Sequence, residues 1–116
     1  MNEKLTVKQF FEDLESNEDF KYIVHFTNEF KKSVKLSFKR NLDLNLLKDV
    51  ILMLAMGKKL KETYRSHKLN NYYKLQKNQV VMECHIQPDW LFVWMQNDAE
   101  LTLLLIDTGT HSDLFG

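Results

Sequence analysis

Residues 80–109 read VVMECHIQPDWLFVWMQNDAELTLLLIDTG, and this stretch decides the predicted fold. Short runs of apolar and β-branched residues alternate there with turn signals, which is typical of a meander of strands. The pattern predicts four strands, over residues 72–76, 80–86, 91–96 and 100–106. Because residues 101–106 are apolar at nearly every position, we expect that segment to be a central strand covered on both faces.

Upstream of the meander, most of the apolar residues recur with the period of a helix. The pattern predicts a short amphipathic helix over residues 6–15, a strand over 22–26, a helix over 28–40, and a second helix that Asn41 or Asp43 caps and Gly57 ends. We therefore expect an α+β domain in which a first strand is followed by a helical hairpin packed on a mostly antiparallel sheet, with an extra helix at the N-terminus.

The bulk composition indicates one soluble domain. A chain of 116 residues is long enough for one core and too short for two ordinary domains. Its longest strictly apolar run, residues 50–56, is far shorter than the roughly 20 residues of a membrane-spanning helix. No signal-peptide pattern opens the sequence, and Cys84 is its only cysteine. We therefore expect a cytoplasmic protein without membrane contact, in which Cys84 packs as a small hydrophobe.

Charge is strongly segregated along the chain, although the formal net charge is zero. Residues 1–20 carry a net charge of −4, residues 21–77 carry +10 and residues 78–116 carry −6. A basic segment of this kind attracts polyanions, and RNA is the usual partner. We expect an RNA-binding face on the helix at 28–40, although a solvated helix face is the alternative. Three lysines form that face: Lys31, Lys35 and Lys39.

Three short segments carry groups suited to acid–base chemistry. They read HKL at residues 67–69, CHIQPDW at 84–90 and TGTHSDLF at 108–115. These segments resemble the YafQ branch of the RelE/ParE toxin superfamily over about residues 22–116. The resemblance implies a toxin of a bacterial type II toxin–antitoxin system, which cleaves messenger RNA in the ribosomal A site. It also implies a DinJ-like antitoxin as partner, contact with operator DNA only through that antitoxin, and no cofactor or metal.

The resemblance also implies the site residues. Four positions are expected to be catalytic: His67, His85, Asp89 and His111. We assign His111 as the general acid, Asp89 or His85 as the general base, and His67 as a phosphate contact. Two aromatic residues are expected to stack on RNA bases, with core packing as the alternative: Trp90 and Phe115.

The chain departs from the family's pattern at several points, including Met82-Glu83 in place of a basic residue and a longer segment between His67 and His85, and one departure affects the expected chemistry. The residue before the last Thr-Gly pair is commonly Arg in this branch, and here it is Asp107. RNA cleavage without a metal needs a base, an acid and a cation that stabilises the phosphorane. We expect the cation to be Arg65, Lys68 or a protonated His67. The alternative function is a catalytically degenerate module that only binds its antitoxin.

Further alternatives have less support. A gyrase poison of the ParE kind does not require a His/Asp set, and a zinc site from Cys84, His85, Asp89 and His111 lacks the usual ligand spacing. Residues 1–20 are predicted to be an amphipathic extension that precedes a toxin domain at 21–116. The helix of this acidic extension either docks where antitoxin or RNA binds, or extends the core.

Overall fold

The structure is a computed structural model that describes residues 4–15, 17–69 and 80–116. These ranges contain four helices, a 3₁₀ turn at Glu62–Tyr64 and five strands. They are α1 (Val7–Glu12), β1 (Ile23–Phe26), α2 (Asn28–Lys39), α3 (Leu44–Ala55), β2 (His67–Lys68), β3 (Met82–Gln87), β4 (Trp90–Asn97), β5 (Thr102–Gly109) and α4 (His111–Phe115). The strand predicted over residues 72–76 lies outside the described residues. No helix in the described ranges has the length and apolar character to span a bilayer.

The described strands form a mixed sheet in the order β1-β5-β4-β3-β2. β1 pairs with β5 in parallel, whereas the other neighbouring pairs are antiparallel. Most of β5 is buried, and it lies between β1 and β4. The predicted α+β class, the mostly antiparallel sheet and the central position of the last strand are therefore confirmed.

The last strand begins and ends later than the sequence predicted. Glu100 belongs to the turn, where its backbone N–H donates to the Oδ1 of Asn97, and Leu101 has a φ of +54°. Pairing with β4 then continues as far as Gly109, which lies opposite Leu91. Turn geometry at one end and strand pairing at the other moved the boundaries.

Side-chain caps start both helices of the hairpin. The Oγ1 of Thr27 accepts a hydrogen bond from the Phe30 N–H at 3.0 Å and donates to the Ile106 carbonyl at 2.6 Å. Asp43, the second of the two predicted caps, accepts from the Asn45 N–H at 3.0 Å. Gly57 follows α3 with a φ of +75°, as a residue after a helix end often does. Through its bond to the Ile106 carbonyl, Thr27 also fixes the start of α2 against β5.

Apolar side chains fill both faces of the sheet. The main core lies between the sheet and the helical layer and includes Phe30, Val34, Cys84 and Phe92. A smaller core on the opposite face is covered in part by Leu114 of α4. Burial, together with the negative charge of Glu83, raises the pKa of the Cys84 thiol to about 12. Cys84 is therefore an unreactive core residue, as predicted.

The N-terminal helix belongs to the main core. Phe10 is completely buried, and the ring centroid of Phe11 lies 4.7 Å from that of Phe26. An ion pair of 3.1 Å joins the Asp13 carboxylate to Lys48 on α3. These contacts support the alternative in which the extension enlarges the core, because α1 packs on the helical layer.

Candidate active site

The β3–β4 hairpin and the start of α4 bring together Asp89 and His111. Pro88 and Asp89 form a tight two-residue turn between Gln87 and Trp90, which are paired residues. In that turn, the Oδ1 of Asp89 accepts a hydrogen bond from the backbone N–H of His111 at 3.0 Å. Thr110 caps α4, and its N–H in turn donates to Asp113 at 2.9 Å. The short helix therefore starts against the turn that carries the carboxylate.

His67 and His85 lie farther along the same region, on neighbouring strands. Their ring centroids are 6.4 Å apart. The Nδ1 atom of His85 lies 3.4 Å from the carbonyl oxygen of Pro88, next to Asp89. A series of contacts therefore runs from the His67 ring to the His85 ring, from the His85 ring to the Pro88 carbonyl, and from the Asp89 carboxylate to the backbone N–H of His111. The four predicted catalytic residues lie along this series, and their catalytic roles stay predictions.

Asp107 is not part of this series of contacts. Its side chain is largely buried, and its Oδ1 accepts hydrogen bonds from the Ser33 hydroxyl at 2.6 Å and from the Thr108 N–H at 2.8 Å. Since Ser33 lies on α2, the carboxylate ties β5 to the helical layer. Asp107 is a structural residue that supplies no positive charge.

Comparison with known proteins then decides the family. The family model described as bacterial toxin of type II toxin–antitoxin system, YafQ, matches residues 22–116. This chain belongs to the YafQ toxin family. The family that the sequence motifs indicated is therefore confirmed.

Related YafQ proteins match over most of their length. The mRNA interferase toxin YafQ of Escherichia coli (strain B / BL21-DE3) is 32% identical over 94 residues, which make up 80% of this chain and 95% of that protein. In the E. coli DinJ–YafQ toxin–antitoxin complex, one chain matches with a TM-score of 0.72 at 30% identity, over 83% of this chain and 99% of that one. A metal-bound toxin from Helicobacter pylori matches with a TM-score of 0.71 at 34% identity, over 79% and 97%.

Trp90, predicted from its YafQ motif position to stack on a base, is a core residue. Only 2% of its surface is exposed, and its Nε1–H donates to the Thr108 hydroxyl at 2.9 Å. That hydroxyl donates to the Leu91 carbonyl at 2.6 Å, so the indole is held between β4 and β5. The structure corrects this prediction, because a buried indole offers no face to RNA. Phe115 remains a candidate, since it is 44% exposed and its ring centroid lies 5.5 Å from that of His111.

The predicted basic residues are exposed on two surfaces. Arg65 lines a cleft of about 360 Å³ together with His85 and Pro88, and Lys68 follows His67 in β2. The helical period of α2 places the other three on one exposed face: Lys31, Lys35 and Lys39. Of the predicted cations, Arg65 therefore shares a cleft with His85, one of the catalytic candidates.

An ion pair that the sequence did not indicate holds α4 in place. The guanidinium of Arg40, the residue that follows α2, donates to both carboxylate oxygens of Asp113, at 2.6 and 3.3 Å. These hydrogen bonds, with those from Thr110, lower the pKa of the Asp113 carboxyl from 3.8 to about 2. The pair links α2 to the helix that carries His111 and Phe115. No sequence signal connects residues so far apart in the chain.

We expect Asp113→Asn to lower the free energy of unfolding by about 1 kcal/mol at neutral pH, because the variant loses a bidentate but half-exposed ion pair. A carboxyl group whose pKa is lowered by folding stabilises the native state above its unfolded pKa. The difference should therefore disappear as the pH falls from about 4 to about 2. Urea unfolding of both proteins across this range measures it. Asp49→Asn, at an exposed carboxylate on α3, is the control; equal losses in both variants would contradict the pairing.

Proposed function

We propose that this chain is an mRNA interferase, a ribosome-dependent endoribonuclease that needs no metal and is kept inactive by a DinJ-like antitoxin. The observation that carries the proposal is the series of contacts that unites His67, His85, Asp89 and His111. Those groups supply the proton transfers that RNA cleavage requires. The names of the E. coli relatives, an mRNA interferase toxin and a DinJ–YafQ complex, support the same activity and partner.

Cleavage proceeds by attack of the ribose 2′-oxygen on the adjacent phosphate. Asp89 or His85 accepts the 2′-hydroxyl proton while the new P–O bond forms. His111 donates a proton to the leaving 5′-oxygen as the old P–O bond breaks. The products are a 2′,3′-cyclic phosphate and a free 5′-hydroxyl. The negative charge of the phosphorane requires a cation, and Asp107 does not provide one.

The proposed reaction needs no metal, and the described residues supply its acid–base groups. They contain no group of three His, Cys, Asp or Glu side chains arranged to hold a metal ion. Cys84 packs in the main core, on the sheet face opposite His85, so the two side chains do not form one ligand set. The bound metal is named only for the H. pylori toxin.

The experiment that tests this function is cleavage of a reporter mRNA on programmed ribosomes, with mass analysis of the fragment ends. Wild-type protein, stripped with a chelator and desalted before use, is expected to cut as fast as untreated protein and to leave a cyclic phosphate. Addition of the cognate antitoxin should stop cleavage. Folded protein that binds the antitoxin without cutting would establish the degenerate binding module instead. Fragments with 5′-phosphate ends would exclude 2′-oxygen attack.

We also propose that the basic face of α2 contacts ribosomal RNA and that the protein acts in the bacterial cytoplasm. Each phosphate contact adds about 0.7–0.9 to the salt dependence of binding, because bound counterions are released. Replacing all three lysines of this face with Ala should weaken ribosome binding and reduce the slope of log K against log salt by about two. The measurement is ribosome affinity over a salt series. The matched control removes three exposed lysines before β2, which are Lys58, Lys59 and Lys61; an equal change in the control would show a non-specific charge effect.

A further inference from the structure

A cleft of about 420 Å³ opens between the end of α2 and the β3–β4 turn. Arg40 and Leu42, which follow α2, line one side of this Arg40 cleft, and Asp89 and Thr110 line the other. Among the described residues that line it, Arg40 is the only Lys, Arg or His. Asp89, a candidate general base, and Thr110, the residue before the candidate general acid, therefore share a cleft with a single cation.

The Arg40 guanidinium is held in a fixed position. Two of its N–H groups donate to the Asp113 carboxylate, at 2.6 and 3.3 Å, and the backbone N–H of Arg40 donates to the Leu36 carbonyl at 3.0 Å. A guanidinium has further N–H donors, and 43% of the Arg40 side chain is exposed. Arg40 can therefore bind a second anion while it keeps Asp113, and little side-chain entropy remains to be lost.

The same side of α2 faces the position that lacks a cation. Asp107 accepts a hydrogen bond from Ser33, and Arg40 follows Ser33 by about two helical turns, or about 10 Å. Ser37, which lies between them on that side, also lines the Arg40 cleft. The helical layer thus engages the Asp107 carboxylate at one point and presents a guanidinium farther along.

We propose that the Arg40 cleft binds the RNA phosphate at which cleavage occurs, and that Arg40 is the cation that stabilises the phosphorane. The catalytic part of this inference rests on the proposed ribonuclease function. A guanidinium suits this role because it is always charged and its planar N–H groups match the geometry of phosphate oxygens. The phosphate then lies beside Asp89 and beside the start of α4, where His111 follows Thr110.

Arg65 is the rival cation, on the other side of the β3–β4 turn. It lines a cleft with His85 and Pro88, and the described lining of that cleft includes neither Asp89 nor any residue of α4. In the part of the chain that the structure describes, no hydrogen bond or ion pair holds the Arg65 guanidinium. Arg40 is favoured because it is already positioned and shares its cleft with Asp89.

The first test compares two variants that break the same ion pair. Arg40→Ala removes the guanidinium and should lower single-turnover cleavage on programmed ribosomes by about 10²–10³-fold, as loss of one transition-state donor does. Asp113→Asn keeps the guanidinium and removes a neighbouring negative charge, so it should cut much faster than Arg40→Ala. Arg40→Lys should recover part of the rate, because it keeps the charge and loses the planar fork. Equal losses in Arg40→Ala and Asp113→Asn would show that the pair only holds α4, and would overturn the proposal.

The second test measures phosphate binding without cleavage. Full-length protein is titrated with a short 2′-deoxyoligonucleotide, which has no nucleophilic hydroxyl, and NMR shifts are expected at Arg40, Asp89 and Thr110. Arg40→Ala should weaken this binding by about tenfold or more, the effect of one lost hydrogen bond to a charged group. Lys59→Ala, which removes an exposed lysine after α3, should leave it unchanged.

Two results of this titration would overturn the proposal. One is a set of shifts centred on Arg65 that Arg40→Ala leaves unchanged, and the other is the absence of shifts at the Arg40 cleft. If wild-type protein cuts no RNA, the proposed function fails, while the titration still decides whether the cleft binds phosphate.

Discussion

His111→Ala is expected to lower ribosome-dependent cleavage by about 10²–10⁴-fold, because general acid catalysis typically contributes that factor. Without the imidazole, the leaving 5′-oxygen departs without a positioned proton donor. The Ala variant keeps the backbone N–H that donates to Asp89, so the hairpin turn and α4 should stay in register. The measurement is the single-turnover rate of reporter mRNA cleavage on programmed ribosomes. Growth after induced expression gives a second readout, since the variant should be tolerated where wild type stops growth.

His25→Ala is the matched control for this change. His25 is exposed in β1, outside the series of contacts that joins the four catalytic candidates. The control should cut RNA at the wild-type rate, and both variants should unfold at the wild-type temperature. Full activity of His111→Ala would remove His111 from the mechanism. Equal losses in both variants would indicate damage to the fold.

Phe10→Ala should lower the free energy of unfolding by about 3–5 kcal/mol, the range found for buried aromatic residues that are truncated to Ala. Phe10 is completely buried, and its ring lies against those of Phe11 and Phe30. The substitution leaves a cavity between α1 and α2, which the surrounding side chains fill only in part. Equilibrium unfolding in urea measures the loss.

Phe115→Ala makes the same chemical change at a half-exposed position, and we expect it to cost less than about 1 kcal/mol. A similar small loss in Phe10→Ala would mean that α1 is not part of the core in solution. If that variant were also more toxic than wild type, the alternative in which the acidic extension shields the toxin surface would gain support. A large loss of stability with unchanged specific activity supports the extended core.

Local patterns predicted three of the helices (α1, α2 and α3) and four of the strands (β1, β3, β4 and β5) in the described ranges, but not the short β2 and α4. Asp43 was one of the two caps expected for α3, because a cap forms hydrogen bonds within two or three residues of itself. The helical period of α2 separated the buried Phe30 and Val34 from the lysine face for the same local reason. Prediction was weaker at strand ends, where pairing with β4 extended β5 to Gly109.

The candidate site was predicted in part. The motif named His67, His85, Asp89 and His111, and the structure places them along one series of contacts. The motif also named Trp90, but a residue type does not show which face of a strand meets RNA and which meets the core. Arg40 was missed, since no local pattern names its partner.

By itself, the sequence determined the helical and strand periods, the caps, the family and the four catalytic candidates, because these depend on neighbouring residues or on short motifs. Only the tertiary structure decided that β1 pairs in parallel with β5, that Asp107 bonds to Ser33, and that Arg40 pairs with Asp113. The physical reason is that such contacts depend on strand register and helix packing, which set the distances between residues that are far apart in the chain. Charge and burial at the candidate site are therefore properties of the fold.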